Sequence, residues 1–394
     1  MSATTTVILG GGFGGIAAAN TLRPLLPAEH DIVVIDESAR FHAGAGKTWV
    51  MLGERTYDQI SRPRVSLLAP GVRLVEGKVQ SLGLADRTVS HGRETLKWDH
   101  LVIALGADLA LSRVPGLKEA AHTFYTIEGA QRLKPVLESF SGGDVVILIP
   151  RVPFKCPPAP YEAAMLLHHA FEDRGLAAKA RLAIYTAEGA PMATAGPEMG
   201  QYIKGELAQR GIEFFPQQNT TRVDGRARRV IFEDGSEARY DLLIAIPPHE
   251  APQVVRDAQL TNASGWIPVD PKTLQVKQPP DARDVYAIGD VTVVPLPGRF
   301  NPALGLSLPK AGVFAEAHGR IVAHRIAAKV LGQASEESFD GKGYCYLETG
   351  GHLAVKAEGS FFELPHPIMR KEAPDEAQFQ DKVDWIERLL SPKR

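Results

Sequence analysis

A glycine turn, Gly10-Gly11-Gly12-Phe13-Gly14-Gly15, narrows the fold of this chain more than any other feature. It sits between a short apolar strand ending at Leu9 and a stretch from Ile16 to Leu26 whose apolar side chains recur at helical spacing. Ile32-Val33-Val34-Ile35 forms the next strand and closes on Asp36, so the order is strand, turn, helix, strand, acid. Gly10 permits the tight turn, Gly12 lets the backbone approach a pyrophosphate, and Gly15 lets helix and strand pack closely. Asp36 stands where a ribose hydroxyl is accepted, and the helix N-terminus offers free N–H groups to the anion. In that context the GxGxxG spacing predicts a site for one dinucleotide.

The spacing does not recur where a second mononucleotide unit would carry it. Val145-Val146-Ile147-Leu148-Ile149 runs into Pro150-Arg151-Val152-Pro153-Phe154-Lys155-Cys156-Pro157-Pro158-Ala159-Pro160. Proline has no N–H, and large side chains hold a pyrophosphate away from the backbone, so the second site reads as degenerate, with a thiol in its place. A helix over about 161–174, a strand over 182–185, a helix over about 198–210 and a strand over 240–246 follow. This region lies between two strands that end in glycine, His100 to Gly106 and Val285 to Gly289. The pattern predicts an α/β protein with two Rossmann-like domains, one inserted in the other. The first comprises 1–115 and 268–331, the second 116–267, and a small C-terminal region spans 332–394. In that last region, β-type pieces at Gly343 to Glu348 and Gly359 to Glu363 alternate with Pro365, Pro367 and Pro374. Phe379, Val383, Ile386 and Leu390 then share one helical stripe.

At 394 residues with 44% apolar side chains, the chain can bury a large core. Its net charge of −2 provides no broad basic face, which sets nucleic acid aside as a partner. The first strand starts too early to leave room for an export signal, and no apolar run reaches the roughly 18 residues a spanning helix requires. The expectation is a cytoplasmic protein or one lying peripherally on the cytoplasmic membrane. Two cysteines, Cys156 and Cys345, are too few for a disulfide framework and form no C-x-x-C pair, and no metal site is read. Cys156 precedes a helix beginning near Pro160-Tyr161-Glu162, whose positive end is expected to lower its pKa. Glu162 and Glu348, each near a cysteine in sequence, are candidate proton acceptors.

Taken together, GGGFGG, HLVIALGA, PFKCPPAPYEAA, IPPHEAP, YAIGDV, LPKAGVFAEAHG and GYCYLETG resemble the pyridine nucleotide-disulfide reductase superfamily. Within it, they resemble the sulfide:quinone oxidoreductases and the flavoprotein subunit of flavocytochrome c sulfide dehydrogenase. The resemblance spans nearly the whole chain and implies a glutathione-reductase-type fold and FAD. It places the cofactor against Gly10, Gly12, Phe13, Gly14, Gly15, Asp36, Glu37, Val79, Ala104, Gly106, Gly289, Asp290, Pro309 and Lys310. It also implies that Lys310 faces the isoalloxazine ring, where a cation would stabilise the charge of the reduced flavin. Cys156 and Cys345 match the redox pair, with Glu162 beside them as a catalytic residue, and His249 matches a segment near the substrate region.

The chain also departs from that pattern. His122-Thr123-Phe124-Tyr125-Thr126 lacks the third cysteine of many sulfide:quinone oxidoreductases, which makes this a two-cysteine variant. Phe41-His42-Ala43-Gly44-Ala45-Gly46 lacks the thiol that anchors flavin in the flavocytochrome, so FAD is expected to be non-covalent. The implied reaction is sulfide oxidation through the cysteine pair, with two electrons passing through the flavin to a quinone or to cytochrome c. A type II NADH:quinone oxidoreductase and a flavin-bearing redox sensor are the alternatives, and the missing second glycine turn argues against the former. A quinone would draw on Phe361, Phe362 and the C-terminal stripe for an apolar slot and peripheral membrane contact; the same stripe could instead pack on the chain's own core or, in a homodimer, on a second subunit.

Overall fold

The computed structural model describes residues 3–279, 282–301 and 303–393. Its first sheet is wholly parallel, with strands in the order Val285–Ala287, His100–Ile103, Thr5–Leu9, Asp31–Asp36 and Val72–Glu76. Val7, Ile8, Leu9, Val33, Val34 and Ile35 are fully buried, as expected of central strands covered on both faces. The helix Phe13–Leu25 lies against the helix Gly312–Val330, so two segments far apart in sequence close one face of this sheet.

A second parallel sheet has the order Glu213–Phe215, Ala180–Thr186, Gly143–Ile149, Leu242–Ala245. The chain is therefore α/β with two parallel sheets. The elements match the periodicity closely, except that the last ladder is shorter than the apolar run 240–246. Two three-stranded antiparallel meanders, Val79–Gly83 to Glu94–Lys97 and Thr220–Asp224 to Glu237–Arg239, were not marked by the sequence pattern. Their strands are short, and most of their side chains are exposed or half-buried.

The C-terminal residues form an antiparallel sheet, Lys342–Gly350, Leu353–Ser360 and Ile368–Lys371, on which the helix Glu376–Leu389 packs. Asp375 caps that helix by accepting a hydrogen bond from the Gln378 N–H at 2.7 Å. The β-type piece expected at Gly359 to Glu363 is the end of the strand Leu353–Ser360, not a separate strand.

Of the three coverings open to the apolar stripe of the last helix, the structure takes the chain's own core. Val383, Ile386 and Leu390 are buried in the same core as Ile147, Tyr161 and Trp49, while Phe379 is half-buried against it. Phe361 is buried as well, edge-on to Phe314. A stripe packed on its own chain cannot also face lipid or a second subunit. The exposed apolar side chains of this region are instead Leu364 and Ile368.

Candidate active site

A cavity of about 570 Å³ runs from the glycine turn to the two cysteines, within the usual size range for small-molecule sites. At one end, Gly10 has φ +92°, and a Cβ there would stand 2.4 Å from the Ala104 carbonyl oxygen. A Cβ on Gly15 would fall 1.8 Å from the Gly10 oxygen, so that glycine serves the close approach of helix to turn. A Cβ on Gly12 would meet nothing within 4 Å and would point into the cavity. Gly12 is also the N-cap of the helix Phe13–Leu25 and supplies no side chain to satisfy its first N–H groups. Asp36 accepts from the Gly11 N–H at 2.7 Å and pairs with Arg64 at 2.9 Å. Arg64 is itself buried and reaches the carbonyls of Gly11, Ser38 and Arg40.

At mid-cavity, Asp290 Oδ1 is buried without a hydrogen-bond partner, and burial raises its pKa. A carboxylate oxygen left without a donor on a cavity wall fits a ligand hydroxyl. With the open approach at Gly12, it fits a dinucleotide cofactor carrying a polyol.

The redox end is assembled from three elements. Cys156 lies in the loop before the helix Ala159–Asp173, and its N–H donates to the Lys310 carbonyl at 2.7 Å. Cys345 lies on the strand Lys342–Gly350, against which that helix packs. Both thiols line the cavity, and Cys156 opens onto it while protein surrounds its other sides. The expected lowering of the Cys156 pKa does not hold. Burial and the nearby Glu162 push it up to about 11, outweighing Lys382, Lys47 and the Ala159 amide of the helix N-terminus. Burial, Cys156 and Glu162 push Cys345 up to about 12.

Behind the thiols lies a buried ionic triad. Lys382 Nζ donates to Glu162 Oε1 at 3.1 Å and Oε2 at 3.2 Å, and also to Glu348 Oε1. Trp49 Nε1 donates to Glu348 Oε2 at 3.1 Å, and the Glu348 N–H donates to Glu162 Oε2 at 3.0 Å. All three charged side chains are at most 5% exposed. One ammonium between two carboxylates leaves an uncompensated negative charge, which favours retaining a proton. Burial, with Glu348 adding to it, raises Glu162 to about 7 despite Lys382, whose own pKa its two carboxylates push up.

In the second parallel-sheet unit, the acid beyond the second strand is held by a side chain. Tyr161 is fully buried, and its hydroxyl donates to Glu188, two residues past the strand Ala180–Thr186. Burial raises Glu188 to about 7.

Of the residues singled out in the sequence, Gly10, Gly12, Phe13, Gly14, Asp36, Glu37, Val79, Ala104, Gly106, Cys156, Glu162, Gly289, Asp290, Pro309, Lys310 and Cys345 line one cavity. Gly15 packs behind the turn, and Glu348 acts through Lys382 from behind the wall. His249 is held off the wall, with Nδ1 on the Pro247 carbonyl at 2.7 Å and its ring edge-on to Tyr125. Lys310 lines the cavity with its ammonium held by protein groups. Its ammonium donates to the carbonyls of Asp290 at 2.6 Å and Thr292 at 3.0 Å, and lies 3.4 Å from the Trp266 ring centroid. Burial lowers it to about 7. Lys47, Arg64, Lys155 and Lys382 were not anticipated. Lys382 had left a signal, because a lysine three residues after Phe379 falls on the apolar face of its helix.

The sequence profile described as Pyridine nucleotide-disulphide oxidoreductase matches residues 4–318. The chain is 24% identical to the mitochondrial sulfide:quinone oxidoreductase of Mus musculus over 91% of its own length and 78% of that protein. The crystal structure of the Aquifex aeolicus sulfide:quinone oxidoreductase superposes with a TM-score of 0.85 at 22% identity, covering 99% of this chain and 92% of that one. The NDH2 of Plasmodium falciparum, solved with NADH, has the same fold at a TM-score of 0.74 and 13% identity, over 98% of this chain and 95% of its own.

Proposed function

Since this chain belongs to the pyridine nucleotide-disulphide oxidoreductase family, whose members bind FAD, we propose that it oxidises sulfide through Cys156 and Cys345 and passes two electrons to a quinone. The observation that carries this reading is the convergence of both thiols, from loop and strand, on the cavity that begins at the glycine turn. FAD bound there would be held by the Phe13–Leu25 helix N-terminus, by Asp36 or Glu37 at the ribose and by Asp290 at a buried hydroxyl, without a covalent link. When bound, it supplies the two-electron relay between thiols and acceptor.

The protein's own groups handle sulfur and protons. Hydrosulfide attacks the Cys156–Cys345 disulfide, leaving a persulfide on one cysteine and a thiolate on the other, and sulfur leaves as polysulfide or zero-valent sulfur. Thiols raised to about 11 and 12 do not ionise unaided at neutral pH, so a proton acceptor must stand beside them. Glu162, poised near 7 by the triad, has the affinity for that role. Lys382 positions both carboxylates and is not itself placed at the sulfur.

Phe13, Val313, Gly343, Tyr344 and Trp385 line both the cofactor cavity and a second cleft of about 1090 Å³, offering the acceptor an aromatic-walled approach. Ile368 lines that cleft and is exposed, as is Leu364. These two, rather than the buried helical stripe, are the contacts for a peripheral membrane association. Among the described residues, no helix is long and apolar enough to cross a membrane.

The test is anaerobic flavin absorbance during addition of sulfide and, separately, NADH. Sulfide should bleach the flavin rapidly while NADH should not, and Cys156→Ser and Cys345→Ser should each abolish bleaching by sulfide. Full-rate bleaching in either variant, or bleaching by NADH alone, rejects the reading.

A further inference from the structure

Three lysines border the redox end of the cavity besides the buried Lys382, and they differ in what holds them. Lys310 is saturated by two carbonyls and an indole face, and Lys382 is closed between two carboxylates. Lys47 and Lys155 are held less completely, Lys47 by a carbonyl and, at 5.8 Å, the Tyr125 ring. Lys47, the first residue of the short helix Lys47–Leu52, donates to the Tyr125 carbonyl at 2.6 Å. Lys155 directly precedes Cys156, and its backbone carbonyl accepts the Tyr125 hydroxyl at 3.0 Å. A single tyrosine thus ties together the segments that present both ammonium groups, and both line the cavity wall that holds Cys156. Among the described residues, neither lysine has a carboxylate within the 4.0 Å of an ion pair.

Lys155 repels Lys47, and the groups that oppose this, Cys156, Glu128 and Asp290, compensate it only in part, which is costly in a protein wall. Burial, with repulsion from Lys155 next, brings Lys47 down to about 7. Burial and the same two lysines bring the adjacent His42 down to about 4. A small anion entering between the two ammonium groups would remove that penalty. The glycine turn and the Phe13–Leu25 helix already supply donors for a pyrophosphate at the far end of the cavity.

We propose that Lys47 and Lys155 form a binding site for a small monovalent anion beside Cys156, which holds incoming sulfide as hydrosulfide. The inference rests on the sulfide-oxidation reading for the identity of the anion, but not for the existence of the site. A charged nucleophile is delivered to the disulfide already ionised, in the form that attacks. The alternative source of negative charge is the reduced flavin ring, and the experiment separates the two.

The test uses the FAD-loaded full chain and nitrate as an inert monovalent anion. Nitrate should perturb the absorbance of the oxidised flavin and compete with sulfide in the bleaching reaction. Lys47→Met and Lys155→Met should each raise the sulfide concentration for half-maximal bleaching about tenfold, affect the saturating rate less, and weaken nitrate competition in parallel. Lys47→Arg and Lys155→Arg, which keep the charge, should restore most of the competition, and flavin content per chain reports folding. Loss of saturating rate with unchanged half-saturation would assign the lysines to the flavin and overturn the proposal. So would absence of nitrate competition in the unsubstituted protein. If sulfide fails to bleach the flavin at all, the sulfur reading falls. A nitrate-induced spectral change that the methionine variants lose would then still establish the anion site.

Discussion

The two parallel sheets each present a strand, a turn, a helix and a second strand followed by an acid, yet they treat the turn and the acid differently. In the first, three residues, 10–12, separate the strand Thr5–Leu9 from the helix Phe13–Leu25. In the second, nine residues, 150–158, separate Gly143–Ile149 from Ala159–Asp173. The longer connection carries the cysteine and folds back to the Lys310 carbonyl. The acids differ in parallel. Asp36 bonds to the N–H of its own glycine turn and still lines a cavity, while Glu188 is bonded by a tyrosine from its own helix. If the second unit has lost a nucleotide site, more than its glycines had to change. The freed space must be filled and the stranded acid given a partner, and here Tyr161 does both.

The sharpest way to break this comparison is at Gly12. A Cβ there meets no atom of the described residues within 4 Å, so Gly12→Leu should leave the fold intact while filling the space a pyrophosphate needs. Flavin content should fall to near zero with the far-ultraviolet dichroism unchanged, and normal flavin loading would show that the turn is not the binding element. Lys382→Met comes next. Removing the ammonium leaves two buried carboxylates facing each other, which should lower unfolding stability by about 3–5 kcal/mol in urea titrations. A change below about 1 kcal/mol would mean the triad is not a closed unit.

Tyr161→Phe sharpens the contrast in the other sheet. It removes the donor to Glu188 and should destabilise by about 1–2 kcal/mol, with flavin content unchanged and NADH still unable to bleach it. NADH bleaching in this variant would show that the second site is only plugged.

The smallest effect is on pH dependence. Glu162 is raised to about 7 in the folded chain from an ordinary carboxyl value near 4.5. Its contribution to stability is therefore complete below about 4.5 and declines as pH rises through about 7. Between pH 5 and pH 8 the thermal midpoint of the unsubstituted protein should fall further than that of Glu162→Gln, and equal slopes would remove Glu162 as the group that holds the proton.

What the sequence disclosed follows the range of the interactions. The parallel strands were legible because their apolar runs are local, and the glycine turn because its chemistry depends on spacing alone. The lowered Cys156 pKa was the wrong inference because a helix N-terminus is a local feature, whereas burial, the larger effect, comes from tertiary packing, and Glu162 in that same first turn adds to it. The membrane reading of the C-terminal stripe failed likewise, since periodicity shows that one face is apolar but not what covers it. Lys47 and Lys155 lacked any pattern of their own, because they meet through Tyr125, which lies far from both in sequence.

The triad also sets an order of events during synthesis. Glu162 and Lys382 are separated by 220 positions, so at about 5–20 residues per second a ribosome delivers the lysine roughly 10–45 s after the glutamate. The glycine turn and both strands beside it emerge well before that. A nascent chain can therefore present its glycine turn long before the triad closes, because the helix that carries Lys382 follows far behind the one that carries Glu162.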